Sequence, residues 1–203
     1  MPANQAQWSN CVPHAIASDI EAHFLNKHDI VLNYKQAVQD ITTASDIASE
    51  GSYPADVLAV INKKKDLFLY EEDGGSTNHF RVKIRYEHVK NGFPRLCKRM
   101  EGYDQMPKPT VVVMKPDTHS VVSGNIAHAV HAVAARGVYE PEDMAAEGGH
   151  VVHGRNSWGA NMPTISVHSG NYLYHVEFEV EIEKTWNYEG LPQPNPAQTG
   201  RFL

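Results

Sequence analysis

The hydrophobic periodicity of this chain changes near residue 105, and that change constrains its fold more than any other feature. Before it, apolar residues mostly recur at helical spacing. In VPHAIASDIEAHF, Ile16, Ile20 and Phe24 stand four apart on one face. Asn10 suits the cap position ahead of this helix. Pro13 is tolerated in the first turn, because the N–H it lacks would have no intrahelical partner there. A second helix is predicted over Tyr34–Ile41. A third follows Pro54, with Val57, Leu58 and Ile61 as its apolar stripe and Lys63–Lys65 at the end where the helix dipole favours cations. RVKIRYEHV reads as a half-buried strand, since Val82, Ile84 and Tyr86 alternate with charged residues. A short helix is expected around Arg95–Glu101. After the change, TVVVMK, HAVHAVAARGVY, GGHVVHGRNSW, TISVH and YLYHVEFEVEI all carry β signal. The final GLPQPNPAQTG holds three prolines and no core-forming pattern.

Helices before about residue 105 and strands after it define an α+β protein. The expected organisation is one domain over residues 1–203. A helical lobe covers about 5–105, an antiparallel β lobe about 106–188, and a Pro-rich tail 189–203, with a cleft between the lobes. A length of 203 residues fits one such unit. The formal charge of -6, with no basic run, excludes the electrostatic footprint of a nucleic-acid binder. No apolar run approaches the ~20 residues of a membrane-spanning helix. The N-terminal MPANQAQWSN shows neither a charged nor an apolar signal region, so a cytoplasmic or delivered protein is expected. No internal repeat is visible.

There are two cysteines, Cys11 and Cys97, which excludes a disulfide framework. One Cys11–Cys97 bridge is possible on arithmetic; two free thiols, as in a reducing compartment, are the preferred reading. Cys11 opens the first predicted helix, where unpaired N–H groups and the helix dipole favour a thiolate. Such positions can hold a cysteine pKa in the range of about 3.5–7.5. Cys97, between Leu96 and Lys98, reads as a structural thiol. Cys11 is followed by H-A-V-A-A beginning at His131 and by N-S-W-G beginning at Asn156. This order resembles the papain-like cysteine peptidase family, which places its nucleophile at a helix start, its histidine in H-A-V and its asparagine in N-S-W-G.

The resemblance runs from about Asn4 to about Tyr174 and implies a two-lobe papain-like fold with the active site in the cleft. It implies Gln5, six positions before Cys11, as an oxyanion donor. In E-G-S-Y-P at Glu50–Pro54, it implies Gly51 and Ser52 as the pair that binds a substrate backbone, and Tyr53 and Pro54 as a pocket wall. Val130, beside His131, is a further substrate-side candidate. Trp158 is implied to shield the His–Asn bond and to contact substrate. The chain departs from the family in reading S-N-C-V around Cys11 and in having Ser at 52. Trp8 and Ser49 stand where bracing cysteines are usual, and EPEDMAAEGG is inserted between His131 and Asn156. With only ten residues before Cys11, no inhibitory propeptide is expected.

The implied chemistry is acyl transfer. Cys11 attacks as thiolate, His131 shares and then donates the proton, and Asn156 orients the imidazole. Gln5 and the Cys11 N–H receive the oxyanion. His128 is the rival of His131, since H-A-V occurs at both. Gly137, six residues after His131, matches the family spacing, and residues three apart on a strand face opposite sides. The same parity separates His150 from His153, so no histidine pair makes a metal clamp, and no metal or cofactor is expected. The Asp73–Ser76 loop reads as a turn. The expected partner is a peptide or protein substrate, with no nucleic acid and no membrane; a proteinaceous inhibitor or regulator stays unidentified. Two other functions use the same features: a Cys-His deamidase, transglutaminase-like enzyme or transpeptidase, and a noncatalytic binding protein of papain fold.

Overall fold

The computed structural model describes residues 11–45, 53–64, 67–72, 77–101, 108–115, 128–137, 150–155 and 164–188. Three helices come first: α1 (Cys11–His28), α2 (Tyr34–Ala44) and α3 (Pro54–Lys64). The apolar stripe of α1 buries Val12, Ile16, Ile20 and Phe24. Asn33 caps α2, its side-chain oxygen accepting the Gln36 N–H at 3.0 Å. Pro54 opens α3, and the Tyr53 carbonyl accepts the N–H groups of Asp56 and Val57 at 3.0 and 3.1 Å. Val57, Leu58 and Ile61 form its buried stripe, and Lys63 and Lys64 lie in its last turn. Asn10, Lys65, the Asp73–Ser76 loop, the EPEDMAAEGG insertion and the Pro-rich tail lie outside the described residues.

The strands are β1 (Phe68–Tyr70), β2 (Thr77–Lys90), β3 (Thr110–Met114), β4 (His128–Gly137), β5 (His150–Arg155), β6 (Thr164–Val167) and β7 (Tyr172–Tyr188). A fourth helix, α4 (Phe93–Met100), lies between β2 and β3. All strands join one sheet in the order β1-β2-β7-β3-β4-β5-β6, and every described pairing is antiparallel. Helix and sheet are thus mixed as the sequence predicts, but the segregation at residue 105 is incomplete. β1 and β2 come from the first half, and β2 pairs with β7 from Thr77↔Tyr188 to Lys90↔Tyr174. β1 carries only three residues, too few to show a period.

Alternation along the strands gives the sheet two apolar faces. On one, Phe80, Val82, Ile84, Val111, Val113, Ala129, Val176, Phe178 and Val180 pack with α1, α2 and α3. On the other, Val112, Met114, Val130, Ala132, Val152 and Val167 pack with Leu96, Cys97 and Met100 of α4. Cys11 and Cys97 are both free and belong to opposite faces. Arg95 of α4 binds Glu87 and Glu177, and Arg99 binds Glu177 at 3.2 Å, which fastens the helix across β2 and β7. Among the described residues no helix is long and apolar enough to cross a membrane.

Asp40 on α2 has a buried Oδ2 with no partner among the described residues. Burial pushes its carboxyl up from 3.8 to about 6, against the Gln36 amide donating to Oδ1 at 2.8 Å. A raised carboxyl pKa means that the folded state holds a proton which the unfolded state has released. Stability from this group is therefore present at low pH and lost as pH rises through about 4 to 6. Asp40→Asn should raise the melting temperature at pH 7 and leave it nearly unchanged at pH 4. An equal shift at both pH values, followed by circular dichroism, would contradict the assignment.

Candidate functional site

Cys11 is the first residue of α1, and its half-buried side chain packs against the core on the helical face of the sheet. The N–H groups of Ala129, Val12 and Cys11 itself favour its thiolate. Burial outweighs them and pushes the thiol above its ordinary value. This corrects the sequence expectation of a depressed pKa. The helix-start donors are present, but the apolar packing around the sulfur has the larger effect. Burial pushes the phenol of Tyr174 on β7 above its ordinary value, and the nearby Tyr53, Asp56 and Cys11 add to the shift. The Tyr174 hydroxyl is buried without a partner among the described residues. Its ring lies 4.7 Å from that of His88 and 6.5 Å from that of Tyr53.

His131 projects from β4 toward α1, on the same face as Ala129. Its Nδ1 lies 2.6 Å from Oδ1 of Asp19, with side-chain exposures of 8% and 1%. That carboxylate oxygen also accepts the Thr110 N–H at 2.9 Å, and the Thr110 hydroxyl accepts Nε of Arg99 at 2.8 Å. The pair does not include Cys11. Asp19 is eight residues along α1 from Cys11, ~12 Å of helical rise. In this structure the imidazole bonds Asp19.

The other sequence candidates are distributed as follows. His128 is 3% exposed, and alternation puts it on the Val130 face, away from α1. Val130 itself is 1% exposed within the core beneath α4. That burial, set by strand parity, corrects the expectation that it lines the substrate side. Gly154 of β5 permits this packing, since a Cβ there would stand 2.8 Å from Cγ2 of Val130. Tyr53 is 64% exposed at the start of α3, and Pro54 behind it is buried. Arg155, the residue before Asn156, pairs with His131 across β4 and β5, and its guanidinium reaches Glu21 of α1 at 3.4 Å. Gln5, Gly51, Ser52, Asn156 and Trp158 lie outside the described residues.

Sequence reasoning missed two residues. Asp19 is a carboxylate within the buried surface of an otherwise apolar helix stripe, a pattern that calls for a partner. Tyr174 has no such signal, because only the β3–β7 register, Val113↔Tyr174, brings it toward Cys11. Among the described residues no three His, Cys, Asp or Glu side chains converge as a metal site. No family model matches the chain, and comparison with curated proteins gives no significant match.

The two thiols should differ in reactivity. Cys97 is 4% exposed, and burial followed by the charge of Glu101 pushes its thiol up to about 11. Limiting iodoacetamide should therefore label Cys11 first, as read by peptide mass spectrometry. With His131 held at Asp19, the Cys11 rate should climb as pH rises through and beyond 9, the ordinary thiol value. A rate already at its plateau at pH 6 would show instead that an imidazolium partners the thiolate in solution.

Proposed function

We propose that this chain is a papain-like thiol hydrolase that cleaves peptide bonds through a Cys11 acyl-enzyme. The observation that carries the reading is the seating of Cys11 at the start of α1 against the Ala129 N–H of β4. His131 lies two residues further along the same face of that strand. β5 runs beside it and leads directly into Asn156. The nucleophile, the base and the segment carrying the orienting amide thus stem from three adjoining elements, in the family's chain order.

In the proposed reaction, the His131 ring turns from Asp19 toward Cys11 and takes the thiol proton. Sulfur attacks the carbonyl carbon, and Gln5 with the Cys11 N–H receives the oxyanion. The C–N bond then breaks as the imidazolium gives its proton to the leaving amine. Water, deprotonated by the same imidazole, cleaves the thioester and restores the thiol. Asp19 holds the ring in the resting enzyme, and Asn156 holds it in the reacting one. The rings of Tyr53 and Tyr174, 6.5 Å apart, supply aromatic surface to the substrate. With both cysteines free, we assign the enzyme to a reducing compartment, as a cytoplasmic or delivered protein.

The buried His131–Asp19 pair favours one rival: amide chemistry on a protein side chain by a Cys-His-Asp enzyme, a deamidase or transglutaminase-like protein. Turnover of a peptide library read by mass spectrometry distinguishes cleavage from a one-dalton deamidation. Cys11→Ala and His131→Ala should each abolish turnover, whereas His128→Ala should retain most of it. Asn156→Ala should lower kcat/KM by about 10²-fold and by more than Asp19→Asn does, once melting curves show both variants folded. The reverse order supports the Cys-His-Asp reading. A chain that turns over no peptide, with a Cys11 unreactive to an epoxide thiol inhibitor, overturns both.

A further inference from the structure

α1 and α4 cover opposite faces of the sheet, yet one peptide group ties a side chain of each. At the start of β3, the Thr110 N–H donates to Oδ1 of Asp19 at 2.9 Å. The carbonyl of the same peptide belongs to Pro109. It accepts Nη2 of Arg99 at 3.3 Å and the Phe178 N–H at 3.1 Å. A peptide is planar, and its trans form points N–H and C=O in opposite directions. Whatever orients the Pro109 carbonyl therefore orients the donor that Asp19 receives. The Thr110 hydroxyl fixes the same unit: it donates to the Lys108 carbonyl at 2.9 Å and accepts Nε of Arg99 at 2.8 Å. Nη1 of Arg99 meets Glu177 of β7 at 3.2 Å, so each guanidinium nitrogen has a partner.

The surroundings strengthen this chain of contacts. Thr110 and Asp19 are buried, and the Arg99 side chain is only 14% exposed. Away from water, a cation at the carbonyl end of a peptide polarises it and makes its N–H a better donor. Oδ1 of Asp19 takes that N–H together with Nδ1 of His131. A carboxylate only accepts, so Nδ1 carries the ring proton and Nε2 is the basic nitrogen of the neutral imidazole. Arg95, one turn earlier on α4, bonds Glu87 and Glu177 instead of this peptide.

We propose that Arg99 is a positioning residue for His131. From the far face of the sheet it sets the Pro109–Thr110 peptide, the peptide sets Asp19, and Asp19 fixes the tautomer and direction of the imidazole. The effect of Arg99 on rate rests on the thiol-hydrolase reading above, whereas its effect on the ring does not.

The test compares Arg99→Gln, Thr110→Val and Arg95→Gln in the full chain. The His131 ring is followed by long-range proton–nitrogen NMR, its signals assigned by their loss in His131→Ala. The unsubstituted protein should show a slowly exchanging Nδ1–H far downfield, as a carboxylate-held ring does. Arg99→Gln should lose this resonance to exchange with water. Thr110→Val keeps the side-chain shape but removes one of the Arg99 contacts, and it should broaden the resonance. Arg95→Gln should leave it in place, although that change removes ion pairs from the same helix. In peptide turnover, Arg99→Gln should lower kcat about tenfold with KM unchanged, and adding it to Asp19→Asn should lower kcat no further. Persistence of the resonance in both Arg99→Gln and Thr110→Val would overturn the proposal. Its loss in Arg95→Gln, or additive losses of kcat in the double variant, would do the same. If the unsubstituted protein turns over no peptide, the hydrolase reading fails by itself, and the resonance still decides the role of Arg99.

Discussion

Hydrogen bonds along β7 join the two halves of the chain. One edge pairs with β2 from the helix-rich half and part of the other with β3 from the strand-rich half. The alternation of the strand then decides what covers each face. Val176, Phe178 and Val180 face α1, while His175 and Glu177 face α4, where Glu177 gathers Arg95, Arg99 and His175. A slip of one residue in this ladder would turn the apolar set toward the arginines and bury the glutamate beneath α1. The positions of α1 and α4, and hence of Cys11, follow from that register.

α1 carries two polar groups that differ in surroundings. Cys11 lies at its start, near main-chain donors but in apolar packing that raises the thiol. Asp19, two turns on, is satisfied at one oxygen by Thr110 and His131. In this structure Nδ1 of His131 lies against that same Asp19 oxygen. A paired and buried carboxylate is costly to abandon. The packing of α1 on the sheet thus fixes where this imidazole rests.

Much of the architecture is legible in the residues. The stripes of α1 and α3, the proline that opens α3 and the alternation in β2 each express a local preference that burial reinforces. β1 escapes such reading because three residues carry no period, and its place comes from pairing with Phe80 and its neighbours. The joining of β2 to β7 escapes as well. A strand's sequence states which face is apolar, but its partner is chosen by contacts almost a hundred residues away. For the site, the order of Cys11, His131 and Asn156 is visible along the chain, and strand parity separates His131 from His128.

What the sequence determined by itself was the helices, most of the strands and the side chains that share a face. These depend on spacing, which a linear chain carries within a few residues. Tertiary structure alone decided that Asp19 holds His131, that Val130 is buried under α4, and that burial raises the Cys11 thiol. Each depends on which distant groups meet and how much water they exclude. Proximity and desolvation arise only when helix and sheet close on one another.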